Sequence, residues 1–150
     1  MEVDELGVAF LDMVENHKMV VENSGLLTVA ALKRLEVKDK RVVAILSGGN
    51  MDVITMSSVV QQGLILRDRI FTVSVLLPDK PGELSRVADV IARRNGNVIK
   101  LEHNQFVSIN RNAAVELRIT MEAFGSEHKK QIIEALHSEG YQPKVVRTVM

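Results

Sequence analysis

The sequence contains no cysteine and no tryptophan, and only one tyrosine and four phenylalanines in 150 residues. Without cysteine there is no disulfide framework and no thiolate metal site, a composition compatible with a reducing cytoplasm. The four histidines, His17, His103, His128 and His137, fall at no metal-ligand spacing, so no metal is expected. Formal charge is zero and no basic stripe accompanies the few aromatics. A surface that neutralises phosphates and stacks bases is therefore missing, and nucleic acid is not an expected partner. No apolar run approaches the ~18 residues of a membrane span. The opening Met1-Glu2-Val3-Asp4-Glu5 is acidic, unlike a signal peptide. A cytoplasmic protein with no membrane partner is expected.

What is present is the patterning of a globular chain, 46% hydrophobic. Val3, Leu6, Phe10, Met13 and Val14 recur at helical spacing within residues 3–18, and Val20-Val21 is a short β-branched pair. Ser24 reads as the N-cap of a helix buried on most sides, Leu26 to Leu32. Arg41–Leu46 is a continuous apolar run of the kind buried on both faces of a parallel sheet. It empties into Ser47-Gly48-Gly49-Asn50, where backbone without Cβ atoms lets a ligand approach. A helix from Asp52 is then expected to end at Gly63.

From about Leu66 the pattern changes. Phe71, Val73, Val75 and Leu77 alternate as a strand, and Asp79-Lys80-Pro81-Gly82-Glu83-Leu84 turns the chain into a helix. Leu84, Val87, Ala88 and Ile91 form that helix's apolar face, which stops at Asn95-Gly96. A strand from Val98 to about Ser108, a polar turn at Asn110–Asn112, and an alternating strand from Ala113 to Met121 follow. Ser126 reads as the cap of a last helix with His128 and His137 on its solvated face, and residues 142–149 as a final strand. This β-α-β-β-α-β order implies an antiparallel sheet with two helices on one face. Residues 1–65 carry six basic against nine acidic residues, and the remainder thirteen against ten. The charge supports two units, 1–65 and 66–150, with the boundary between Gly63 and Arg69.

Two sets of residues carry a resemblance. Asp79-Lys80-Pro81-Gly82-Glu83-Leu84 and Gly96-Asn97-Val98 resemble the Asp-x-Pro-Gly-x-Leu turn and the Gly-x-Asn-Ile start of the second strand in ACT domains. These are ferredoxin-like modules that bind amino acids. Glu22-Asn23-Ser24-Gly25 and the strand ending in Ser47-Gly48-Gly49-Asn50-Met51-Asp52 resemble the end of the catalytic domain of a threonine ammonia-lyase (threonine dehydratase), a fold-type-II pyridoxal-phosphate enzyme with a single ACT domain. The fold class implied is α+β: a βαββαβ ACT domain preceded by a partial α/β segment, the C-terminal remnant of that catalytic domain.

The resemblance implies roles residue by residue. Ser47 would be the partner of the cofactor's pyridine nitrogen, a neutral hydroxyl suited to β-elimination. Gly48 and Gly49 would let backbone approach the cofactor, Asn50 and Asp52 would fix the turn and cap the following helix, and Glu22 would lie at the ring edge; Glu22 also reads simply as a solvated carboxylate. The family's Schiff-base lysine and glycine-run phosphate cradle are absent, since Lys18 lies in Asn16-His17-Lys18. No catalytic residue is expected in this chain, and no stable binding of pyridoxal phosphate by it alone. Asp79, Pro81, Gly82, Glu83, Leu84, Asn97 and His103 are the expected effector residues, although Pro81 and Gly82 would shape the turn with or without a ligand. An amino acid such as isoleucine or valine and a second copy of the chain are the expected partners, in isoleucine synthesis or threonine catabolism. A stand-alone ACT amino-acid-binding or interaction module without catalysis is the alternative.

Overall fold

The computed structural model describes residues 3–104 and 114–149 and divides the chain after Leu66 into two compact units. In the first, α1 (Val3–Asp12) runs into one wider turn (Met13–His17), followed by α2 (Asn23–Leu32) and α3 (Val53–Leu66). Phe10 and Met13, two of the positions that the helical spacing marks, are buried together with Val21, Leu26 and Ala30, and Leu6 and Val14 pack partly buried against them. Three expectations are corrected here. Helix α3 does not end at Gly63: a Cβ there would lie 2.7 Å from the Gly7 carbonyl oxygen and 2.8 Å from Leu11 Cδ1. The glycine lets two helix backbones touch and terminates nothing. Ser24 lies inside α2, whose N-cap is Glu22.

The third correction is the larger one. Residues 41–46 form no strand, and neither do Val20 and Val21. Val43 is 87% and Ile45 74% exposed. A strand buried on both faces needs neighbours at both edges, and among the described residues of this unit there is no other strand. The Ile45 carbonyl instead accepts a hydrogen bond from Thr28 Oγ1 at 3.1 Å.

The second unit is α+β. Its elements are β1 (Ile70–Pro78), α4 (Glu83–Arg93), β2 (Asn97–Asn104), β3 (Ala114–Glu122), α5 (Ser126–Ser138) and β4 (Lys144–Val146). The strands form one antiparallel sheet in the order β2-β3-β1-β4, the ferredoxin-like arrangement. Alternation decides which face is covered. Phe71, Val73, Val75 and Leu77 of β1, with Leu117, Ile119 and Met121 of β3, pack under Val87 and Ile91 of α4 and Ile132 and Leu136 of α5. On the other face the Thr72 and Thr120 hydroxyl oxygens are 2.8 Å apart, and Ser74 donates to Glu116 at 2.7 Å.

Departures from the expected pattern are local. Leu84 and Ala88 are exposed, and Val90 is buried beside Val87 and Ile91 instead. Ser126 is the first residue of α5, with Gly125 as its cap; the Ser126 hydroxyl donates to Asp68 Oδ2 at 2.8 Å. The last strand is three residues long. His128 is half-buried, its ring stacked on Phe124, whereas His137 is exposed as expected. The turn at Asn110–Asn112 and the end of the strand before it lie outside the described residues. Among the described residues no helix is long and apolar enough to cross a membrane.

Candidate functional site

In the first unit the two separated motifs interlock. The Glu22 amide donates to the Gly48 carbonyl at 3.2 Å, and the Glu22 carboxylate lies against Gly48, where a Cβ would stand 2.1 Å from Oε1. Gly48 has φ +83°, so both its conformation and its neighbour favour glycine. Gly25 meets the same loop from the other side, and a Cβ on it would stand 2.1 Å from the Ser47 carbonyl oxygen. Ser24, read from sequence as a cap, donates through Oγ to Glu22 Oε1 at 2.7 Å and so orients that carboxylate. Residues 47–50 are exposed.

A cleft of about 250 Å³ opens here, lined by Glu22, Ser24, Asn50, Asp52 and Thr55 among others. Asp52 closes it by capping α3. Its carboxylate accepts from the Thr55 hydroxyl at 2.5 Å and the Thr55 amide at 2.9 Å, and these bonds hold its pKa below the usual carboxylate range. The oriented Glu22 carboxylate lines this cleft, and the exposed Ser47, Gly48 and Gly49 stand beside it and not among its lining residues. A hydroxyl that can donate and a carboxylate that accepts could take the nitrogen and polar edge of a heteroaromatic ring, and at Gly49 a Cβ would meet no atom closer than 3.5 Å.

In the second unit the Pro-Gly turn projects from the end of β1. Lys80 N–H donates to the Pro78 carbonyl at 2.8 Å and Glu83 N–H to that of Lys80 at 3.4 Å. Gly82 has φ +93°, and a Cβ on it would meet nothing within 4 Å. Asp79, Pro81 and Leu84 are exposed around it. Glu83 is tied down: its Oε1 lies 3.4 Å from Arg86 Nη1, and its Oε2 accepts from the Tyr141 hydroxyl at 3.3 Å. Burial, then the adjacent Glu83 carboxylate, raises the Tyr141 pKa. Sequence reasoning missed Tyr141, which stands 58 residues from Glu83 with no local signal linking them.

Strand register locates the other two expected effector residues. Asn97 pairs with Glu122, which pairs with Ile70 at the start of β1, so it sits at the end of the sheet remote from the turn. Its Nδ2 donates to Glu122 Oε2 at 2.8 Å. His103 pairs with Leu117, which pairs with Val75, nearer the turn. One copy of the chain does not bring Asn97 to the turn.

Comparison with known proteins adds the family. Residues 71–140 match the family model for the ACT domain. The L-threonine ammonia-lyase of Geobacter sulfurreducens is 34% identical over 148 residues, which cover 97% of this chain and 37% of that protein. The L-threonine ammonia-lyase of Thermotoga maritima is 29% identical over 95% of this chain and 36% of its own length. A biosynthetic L-threonine dehydratase of Mycobacterium leprae is 34% identical over 67% of this chain and 24% of its own. The chain spans a little over a third of the length of the first two relatives. Residues 71–140 are thus similar to the ACT-domain family, and nearly the whole chain is similar to part of the L-threonine ammonia-lyases.

Proposed function

We propose that this chain is the portion of a threonine ammonia-lyase, turning L-threonine into 2-oxobutanoate and ammonia, that closes the pyridine end of the cofactor pocket and senses an amino acid through its ACT domain. The observation that carries the reading is the interlock of Glu22, Ser24 and Gly25 with Ser47 and Gly48, two motifs more than twenty residues apart that meet beside one polar cleft. Pyridoxal phosphate, when bound, supplies the electron sink for loss of the β-hydroxyl. Ser47 would offer its hydroxyl to the ring nitrogen, and Ser24 would hold Glu22 toward the ring edge.

The regulatory half calls for a second copy. Strand β2 is an edge of the sheet, exposed along its length, with Val98, Ile99 and Leu101 each more than a third exposed. Such an edge is open to pairing, and two-fold symmetry is the commonest solution. Antiparallel pairing of β2 with its copy would carry the partner strand's Asn97 end toward the Asn104 end of the first, the end near the turn. The effector, an aliphatic amino acid such as isoleucine or valine, would then lie between the Gly82 backbone of one copy and the start of β2 in the other. The alternative, an amino-acid-binding ACT module without catalysis, is favoured by the closed core of the second unit.

Isothermal titration of isoleucine, valine and threonine against wild type and Gly82→Asp tests the sensing role. Loss of one charge-assisted hydrogen bond at ~1.5–3 kcal/mol corresponds to roughly 10–150-fold weaker binding. Unchanged affinity in the variant moves the pocket elsewhere. To separate the two readings, Ser47→Ala is introduced into a protein that also carries the lysine-bearing part. Altered cofactor affinity favours the lyase, and no change favours the module.

A further inference from the structure

The far end of α4 from the Pro-Gly turn carries an arrangement that neither reading uses. Phe124 is 83% exposed, whereas Phe10 and Phe71 are buried in the two cores. It is nevertheless held in place. Its ring stacks on His128 with centroids 4.8 Å apart and planes 15° from parallel. His128 is fixed in turn at both nitrogens: Nδ1 accepts from the Phe124 N–H at 3.0 Å, and Nε2 bonds the Arg94 carbonyl. A solvated phenylalanine braced by a doubly tethered imidazole is a preorganised platform with one face free.

That platform is one wall of a cavity of about 420 Å³, whose other walls include Arg93, Arg94, Asn95, Glu127 and Gln131. Among the described residues neither Arg93 nor Arg94 has an ion-pair partner. The volume lies in the range of about 300–1,000 Å³ typical of small-molecule sites, too roomy for a lone ion. The charges sort the ligand. Guanidinium groups recognise a carboxylate in a planar, two-point manner, and the Glu127 carboxylate calls for a cationic group on the same molecule. The exposed face of Phe124 calls for a second ring, offset-stacked or edge-on.

We propose that this cavity is a second amino-acid site, selective for an aromatic α-amino acid. The α-carboxylate lies at Arg93 and Arg94, the α-ammonium at Glu127, and the side-chain ring on Phe124. It is distinct from the turn at Gly82, since the eleven residues of α4 separate the two ends by about 16 Å within one copy.

The test is ligand titration by saturation-transfer NMR and calorimetry on the full chain. The probes are L-phenylalanine, 3-phenylpropionate (no ammonium), phenethylamine (no carboxylate) and L-leucine (no ring). L-Phenylalanine is expected to bind at least tenfold more tightly than each of the other three. Phe124→Ala and Arg94→Ala are expected to weaken it at least tenfold. Phe124→Leu, which keeps an apolar cover on His128, weakens it similarly if the ring itself matters. Glu127→Gln weakens L-phenylalanine and leaves 3-phenylpropionate unchanged. Gly82→Asp leaves L-phenylalanine binding intact, which separates this site from the aliphatic-effector reading. Undiminished binding in folded Phe124→Leu and Phe124→Ala overturns the proposal. So does loss in Gly82→Asp, or no binding of L-phenylalanine by the wild type.

Discussion

Gly25 and Gly82 both stand near a helix start, and the structure gives them opposite reasons to be glycine. At Gly25 the obstacle is space, with the Ser47 carbonyl oxygen 2.1 Å and Val21 Cγ1 2.7 Å from a would-be Cβ. At Gly82 the space is open and the obstacle is φ alone. Gly82→Ala is therefore expected to cost about 1–2 kcal/mol, the left-handed penalty of a single residue. Gly25→Ala drives a methyl into backbone that cannot rotate away, and is expected to exceed the ~1–3 kcal/mol of ordinary overpacking. Urea denaturation of each variant, followed by helical signal, checks the order, and a milder Gly25→Ala would refute the interlock. Asp68 gives a pH prediction. Its hydrogen bond from Lys129 Nζ at 2.6 Å, and then that from Ser126, depress its pKa. A depressed carboxylate contributes stability that is present above its unfolded pKa of about 3.9 and is lost as pH falls through the folded value. Asp68→Asn keeps a residue type that tolerates the φ of +54°. It is expected to lower stability near pH 7 by roughly 1 kcal/mol for a partly exposed pair and to leave a shallower acid limb below the unfolded carboxylate pKa of about 3.9. An unchanged acid limb would show that the bond contributes nothing.

Elements were legible where their partners lie within the same unit. The alternation of Val115, Leu117, Ile119 and Met121 states that one face is covered, and α4 and α5 cover it. The run Arg41–Leu46 states that both faces are to be covered, and among the described residues of its own unit no strand does so, although Leu46 packs against the core; pattern alone gives the demand, not the supply. Gly63 misled for a related reason. A glycine late in a helical pattern signals an end, and only the crossing of α1 and α3 shows that it marks a contact. The candidate site divides the same way. Both motifs of the first cleft and the Pro-Gly turn could be read as segments, whereas the Ser24–Glu22 bond, the Tyr141–Glu83 contact and the remoteness of Asn97 arise from tertiary placement and register. Hydrogen exchange tests the element-scale account. Amides of residues 41–46 are expected to exchange on the timescale of an unpaired chain, and those of residues 115–121, in the middle of the sheet, orders of magnitude more slowly. Protection of residues 41–46 equal to that of β3 would mean that the segment has found a strand partner.

At the scale of the molecule the two units differ in how completely each buries its own apolar surface. The second carries a core closed between sheet and helices, from Phe71 through Leu136. The first leaves Val43, Ile45, Val53 and Ile54 between 74% and 87% exposed around a smaller core. Burial of a side chain of this size stabilises by about 1.5–3 kcal/mol, so four left in water withhold stabilisation comparable to the whole margin of a small domain. The units are expected to unfold separately, the first at lower urea. Residues 67–150, produced alone, are expected to keep the sheet signal and the midpoint of the second transition. Limited proteolysis is expected to cut near Leu66–Arg67 and leave that half intact, because a closed core opens only by global unfolding whereas an underpacked one opens locally. A single transition seen alike by helix and sheet signals, with residues 67–150 unfolded when made alone, would show that the second unit depends on the first.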